Sequence, residues 1–260
     1  CRLNCSSGLL KLGVHIHLLD GVNCSMQFEK SITLATFSPL WWESILWIGG
    51  SIFLLIQVPK YLKNIKIQHY NLFIAILLIA NLTIEQFYNF YTGSWNIQQN
   101  IPAHLCSIST FLCIIYLFNK NQLLGEFVYY WGLLGGIHAL LTPEFNNGIK
   151  GYNFYSYFIE HAGLLLVVLY SIIHNGFVPR PKSWLVIFGY SQLVVLSVGI
   201  LNYAIGTNYM FLRERPSANN PFIIGEWPFY LICFEVAAIA HFWLFYLPFA
   251  RKRKRAKMAL

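Results

Sequence analysis

The stretch IPAHLCSISTFLCIIYLF, residues 101–118, decides how the chain is read. It is apolar over about five helical turns, long enough to cross hydrocarbon as a helix. Yet it opens on a cluster of chemistry: Cys106, with His104, Ser107, Ser109 and Thr110 beside it. A helix begun at Ile101 puts Cys106 about a turn and a half inside it. A cysteine in hydrocarbon is ordinarily inert packing, so the question is whether other helices bring polar groups to the same depth.

The rest of the chain supplies such helices. Of 260 residues 57% are hydrophobic and 11% charged, with a mean hydropathy of +0.52. A soluble domain carries roughly a quarter charged residues, so the composition is that of an integral membrane protein. Seven apolar stretches have spanning length: Leu40–Pro59, Tyr70–Tyr91, Ile101–Phe118, Leu123–Thr142, Phe154–Ile173, Trp184–Gly206 and Trp227–Phe249. Their ends carry Trp41, Trp42, Tyr91, Trp184 and Trp227, as an interfacial aromatic belt requires. The expected fold is all-α, a single seven-helix membrane domain over residues 26–250. Residues 1–25, ahead of Met26, read as a non-native or disordered extension, and residues 251–260 as a basic tail.

The net charge of +8 does not mark a nucleic-acid protein, because its placement is asymmetric. Lys60, Lys63, Lys66, Lys120, Arg180, Lys182 and the run from Arg251 to Arg255 fall on one side of the membrane. On the other, Lys30, Lys150, Arg213 and Arg215 are largely offset by Glu29, Glu144, Glu214 and Glu226. The positive-inside rule then puts the N-terminus outside and the C-terminus in the cytoplasm of a multi-pass cell-membrane protein. The six cysteines contain no CxxC, so neither a thiol pair nor a zinc pattern is indicated.

Counting ~1.5 Å per residue from the outer helix ends puts Glu85, Cys106, His138, His161, Asn202 and Glu235 roughly 6–12 Å deep. Six helices thus contribute to one polar layer, while Glu126 and His241 fall in the cytoplasmic half. Polar groups in hydrocarbon face the bundle interior or water, so the layer reads as a cavity open outward. For any one member, a satisfied interhelical hydrogen bond is the simpler account, Asn202 above all. His104 is two residues from Cys106 and points nearly the opposite way unless it lies in the first turn. Glu160 projects about 100° away from His161 and is poorly placed to orient it. Cys113 lies deeper and reads as packing.

These residue types fit acyl transfer. A thiol is nucleophilic as thiolate, an imidazole such as His161 takes its proton, and a carboxylate, Glu85 or Glu235, fixes the imidazole tautomer. His138 is an alternative base or a group that orients a substrate phosphate, and Ser107 and Ser109 are candidate oxyanion donors. Two other readings compete: a proton-coupled transporter using Glu85 and Glu235, and a purely structural membrane protein. No metal site or cofactor is expected, since no histidine spacing supports one.

The segments IPAHLCSIS, NFYSYFIEHAGLLL and NYAIGTNYMFLRERP with WPFYL resemble the YwaF-type bacterial membrane family over about Phe37 to Phe249. That family is similar to a vertebrate transmembrane acyltransferase acting on ether phospholipids. The resemblance implies a catalytic pair at Cys106 and His161, and a further motif at Asn208, Tyr209, Leu212, Arg215 and Pro216. Met210 and Arg215 depart from the glycine and lysine of that motif. The expected function is therefore transfer of a fatty acyl chain onto a phospholipid or lysophospholipid through a Cys106 thioester. Asn202, Asn208, Tyr209 and Arg215 are the expected substrate contacts, and a lipid hydrolase is the outcome if water replaces the acceptor.

Overall fold

The computed structural model describes residues 31–61, 66–145, 149, 151–218 and 220–258, together with the backbone of 2–4 and 25–27; of 254–258 it describes the backbone alone. The reading of residues 1–25 as an extension lies almost wholly outside these. Seven α-helices make up the body: α1 Pro39–Tyr61, α2 Ile67–Tyr91, α3 Leu105–Asn119, α4 Gln122–Leu141, α5 Tyr152–His174, α6 Ser183–Ile205 and α7 Phe229–Met258. Short strands pair antiparallel in two places, β1 (Arg2–Asn4) with β2 (Ser25–Gln27) and β3 (Ile32–Thr33) with β4 (Glu144–Phe145). The protein is all-helical in substance.

Five helices, α1, α2, α5, α6 and α7, are long and apolar enough to cross a membrane. Large apolar side chains on their outer faces, such as Trp47, Phe53, Phe87, Leu193 and Val236, are exposed, as lipid-facing residues are. The other two helices fall short of that for different reasons. With 15 residues, α3 is short, and α4 carries Glu126, Tyr129, Tyr130 and Trp131 into the core.

The packing puts α4 and α5 at the centre. Helix α4 meets α3, α5, α6 and α7, while α5 meets α1, α2, α3 and α4. Glycine sets the closeness of α4 to α5: a Cβ at Gly132 would lie 2.9 Å from Val168 Cγ2, and one at Gly136 2.8 Å from Leu165 Cγ. Small residues let membrane helices approach until their backbones pack. Hydrogen bonds fix the neighbours. The Tyr130 hydroxyl pairs with that of Ser183 at 2.8 Å, Trp131 Nε1 donates to Ser191 Oγ at 2.9 Å, and Tyr129 donates to Phe245 O at 2.8 Å. At one end of α4, the buried Glu126 takes Arg180 Nη2 at 2.7 Å, Nε at 2.9 Å and its backbone N–H at 2.7 Å. That pairing holds Arg180 still further above its already high pKa.

Two helix boundaries depart from expectation. Helix α7 does not stop at Phe249; the basic run continues it to Met258. Lysine and arginine are good helix formers and suit a helix C-terminus, and Arg253 anchors the extension to the Pro179 carbonyl and the Tyr246 hydroxyl. Helix α3 starts at Leu105 rather than Ile101. That second shift remakes the site.

The segment between α6 and α7 folds back over the bundle. Gly206 ends α6 in a left-handed conformation (φ 69°), and a short 3-10 turn follows at Tyr209–Phe211. Glu144 of β4 fastens the next part of the segment, accepting from Ser217 N at 2.8 Å and Ala218 N at 2.9 Å, and it also accepts from the Ser31 hydroxyl.

Candidate functional site

Pro102 is compatible with a first helical turn, so the sequence alone starts α3 there. A contact from far along the chain overrides it. The Tyr209 hydroxyl donates to Ile97 O at 2.6 Å and accepts from Ile101 N at 3.0 Å, holding the approach to α3 as a turn. His104, extended at ψ 150°, becomes the N-cap. Cys106 is therefore the second helical residue, not one buried a turn and a half in. The first-turn amides of a helix have no intrahelical acceptor and form its positive pole. The thiol faces α4 at Gly135, where an added Cβ would sit 3.0 Å from Cys106 Sγ.

This new start also reorients His104. It lies outside the helix, accepts from Met210 N at 3.3 Å through Nδ1, and lines the same cavity as Cys106 instead of pointing away. The cavity holds about 470 Å³ and lies among α2, α3, α4, α5, α6, α7 and the segment above them. That is within the usual range for small-molecule sites.

His161 is buried on α5, and its Nδ1 lies 2.6 Å from the Tyr157 carbonyl. A carbonyl only accepts, so Nδ1 carries the proton and the neutral ring keeps Nε2 as its basic nitrogen. A backbone oxygen one turn earlier thus sets the tautomer, the role expected of Glu85 or Glu235. Those two carboxylates line the cavity with other partners: Glu85 accepts from Ser156 Oγ at 2.7 Å, and Glu235 from Gln192 Nε2 at 2.7 Å. Glu160 also lines it, held on α3 by the Ser107 hydroxyl and by Thr110 Oγ1 at 3.4 Å.

The candidate oxyanion hydroxyls are engaged elsewhere. Ser109 is buried off the cavity and donates to Leu105 O at 2.7 Å, while Ser107 bonds Glu160. What remains near Cys106 for a developing oxyanion is the first-turn backbone N–H groups. Cys113 is fully buried in the core, and Cys233 is half-buried on α7.

Depth counting missed one pairing. His138 of α4 and His241 of α7 meet at 3.3 Å, Nε2 to Nε2, inside the cavity. The sequence places His241 in the opposite half, a placement that holds only for upright helices starting in one plane.

Asn202, Asn208, Tyr209 and Arg215 do not line the cavity. Asn202 is buried and bonds Tyr209 O, Tyr209 N and Thr207 Oγ1, each at 2.8 Å. Asn208 accepts from Arg213 N at 2.9 Å and Glu214 N at 3.0 Å, and Tyr209 braces α3. Arg215 pairs with Glu226 at 3.3 Å on the surface. Together they shape the segment that turns Met210, Phe211, Leu212 and Phe222 towards the cavity. No cluster of three or more His, Cys, Asp or Glu suited to a metal occurs among the described residues.

An all-helical bundle with five spanning-length apolar helices around a largely apolar cavity that carries several polar groups defines a multi-pass membrane protein. The chain belongs to the TMEM164 family, whose family model matches residues 31–246. No curated protein and no solved structure matches it.

Proposed function

We propose that this protein is a membrane acyltransferase that moves a fatty acyl chain between phospholipids through a Cys106 thioester. The observation that carries this is the position of Cys106 at the head of α3, facing the cavity that His161 also lines. His161 Nε2 takes the thiol proton, and the sulfur attacks the ester carbonyl of a donor phospholipid. The first-turn amides receive the oxyanion. Collapse expels the lysophospholipid alkoxide, which His161 reprotonates, leaving an acyl-thioester. A second lysophospholipid hydroxyl gives its proton to Nε2, attacks the thioester and restores the thiol. If water enters in its place, the same steps make a lipid hydrolase.

The likeness of the Cys106 and His161 segments to the YwaF-type family and its vertebrate acyltransferase relative supports this reading. With the N-terminus outside, the cavity lies in the outer half of a cell membrane, where a soluble cytoplasmic acyl carrier has poor access, so a phospholipid is the favoured donor. The half-buried cavity carboxylates Glu85 and Glu235 also favour a second reading, a proton-coupled transporter. One experiment separates the two: acyl exchange between phospholipids in vesicles carrying the purified protein. Cys106→Ser keeps size and hydrogen bonding but replaces the thiol with a much less acidic hydroxyl, so exchange falls roughly a hundredfold or more. Near-normal exchange by Cys106→Ser and Cys106→Ala rules out the thioester and leaves transport.

A further inference from the structure

A phosphate group entering this cavity meets an unusual wall. Four carboxylates line it, Glu85, Glu144, Glu160 and Glu235, and among the described residues no lysine or arginine does. An unpaired anion away from water is costly. The described lining groups that can become cationic are four histidines, His104, His138, His161 and His241. His104 is bonded at Nδ1 to the overlying segment, and His161 is the base of the proposed chemistry. Imidazoles touch at one place, His138 and His241.

The hydrogen bonds fix how that pair is protonated. His241 Nδ1 lies 2.6 Å from the Ala237 carbonyl, so it donates and leaves Nε2 as acceptor. His138 must then donate from its own Nε2 across the 3.3 Å contact. Two ring nitrogens of the neutral pair lack a proton; His241 Nε2 is taken up as acceptor from His138, which leaves His138 Nδ1 as the open one. A proton added there disturbs neither existing bond. It creates one new N–H donor on a cation that His241 and the Ala237 carbonyl already support. The empty pair carries no buried charge, and it acquires one when an anion arrives to share it. Phe222 packs nearly perpendicular to both rings, with centroids at 5.4 and 5.2 Å, and covers one side of the pair. Other titratable groups on the surrounding cavity walls are Glu85 on α2, His104 and Cys106 at the head of α3, Glu144 on β4, Tyr157, Glu160 and His161 on α5, and Glu235 on α7; α6 brings Ser191 and Gln192, which do not titrate.

We infer that the His138–His241 pair is the phosphate subsite of the cavity, receiving a phosphodiester monoanion and taking up one proton as it binds. This rests on the cavity being a lipid site, and not on the thioester chemistry. A soluble phosphodiester would present the same group as a lipid headgroup, so the test uses both.

The experiment is calorimetric titration of the full chain in detergent at about pH 7.5, in two buffers of different ionisation enthalpy, which counts protons taken up on binding. The probes are a short-chain lysophosphatidylcholine, the matching monoacylglycerol, and dimethyl phosphate. The lysophospholipid should take up close to one proton, and the monoacylglycerol none. His138→Gln and His241→Gln should abolish the uptake and weaken lysophospholipid binding roughly tenfold. Unchanged monoacylglycerol binding shows that both variants remain folded. Uptake with the lysophospholipid but not dimethyl phosphate assigns the pair to a lipid headgroup; uptake with dimethyl phosphate alone overturns the lipid source. Lysophospholipid binding without uptake, or with full affinity in both variants, overturns the subsite. Failure of Cys106→Ser to affect acyl exchange would end the thioester reading and leave these titrations unchanged.

Discussion

Two polar regions of this protein look alike in the sequence and differ in the fold. At the head of α3, Cys106, His104 and His161 reach a common cavity. At the end of α6 and in the segment after it, Asn202, Asn208 and Tyr209 are just as polar, yet their hydrogen-bonding atoms are engaged within that stretch. What separates them is remaining valence. His161 has one nitrogen tied to the backbone and one left to act, whereas Asn202 uses both its oxygen and its nitrogen to close a turn. A polar residue within a membrane bundle is a candidate for chemistry when the fold leaves one of its atoms unsatisfied and aimed at a cavity.

The largest expected effect that tests this contrast is on stability. Asn202→Ala removes three buried hydrogen bonds and strands the Tyr209 N–H, the Tyr209 carbonyl and the Thr207 hydroxyl. Each stranded group costs on the order of 1–3 kcal/mol, and the costs are not additive. A total near ~3 kcal/mol is expected, read as a fall in the midpoint of chemical unfolding in detergent. Acyl exchange per folded molecule should stay within about threefold of the parent, since the residue lies off the cavity. The opposite pattern, with stability kept and exchange lost, would make Asn202 a substrate contact and blur the distinction.

A smaller effect is expected at Gly135, which sharpens the other side of the comparison. Its Cα faces the sulfur, and a Cβ at 3.0 Å would press the thiol by a few tenths of an ångström. Small displacements of a reacting atom carry large rate penalties. Gly135→Ala should slow exchange about tenfold with little change in unfolding midpoint, because alanine is the better helix former. Labelling of Cys106 by a thiol reagent with an acyl tail should slow in parallel. Unaltered exchange and labelling would mean that the sulfur acts from another direction or not at all.

How much of this was legible beforehand divides along the range of the interactions. Hydropathy is local, so the seven helices could be read from their own residues, with most ends correct to a few positions. The start of α3 could not, because Ile101–Pro102 is a good local helix opening, and Tyr209, 108 residues on, is what displaces it. The tautomer of His161 was sought among distant carboxylates when an i−4 carbonyl supplies it. That signal was available, since a buried helical histidine can always bond the preceding turn. The His138–His241 contact depends on how α7 packs against α4, which no count along one helix contains. The Asn208–Tyr209–Arg215 motif was visible, but motif likeness does not say whether a residue touches a ligand or shapes a loop.

Arg215 gives the smallest expected effect and the most discriminating reading of that motif. Its guanidinium meets Glu226 at 3.3 Å, but the two side chains remain 54% and 81% exposed, and neither lines the cavity. An exposed pair of this kind contributes roughly 0–1 kcal/mol, because water and salt screen it and both long side chains must be held still. Arg215→Ala should therefore shift the unfolding midpoint barely at all and leave acyl exchange within about twofold. If Arg215 instead contacted a headgroup, as the resemblance implies, exchange would fall tenfold or more at unchanged stability, and the loss would appear in KM. Arg215→Lys separates the cases further. A phosphate contact keeps part of its strength with lysine as a point charge, while an indifferent surface arginine gives the same result with alanine or lysine. Equal, near-parent exchange for both variants places Arg215 with Asn202 and Asn208 among the residues that shape the segment over the cavity, and a graded loss moves it to the cavity side of the comparison.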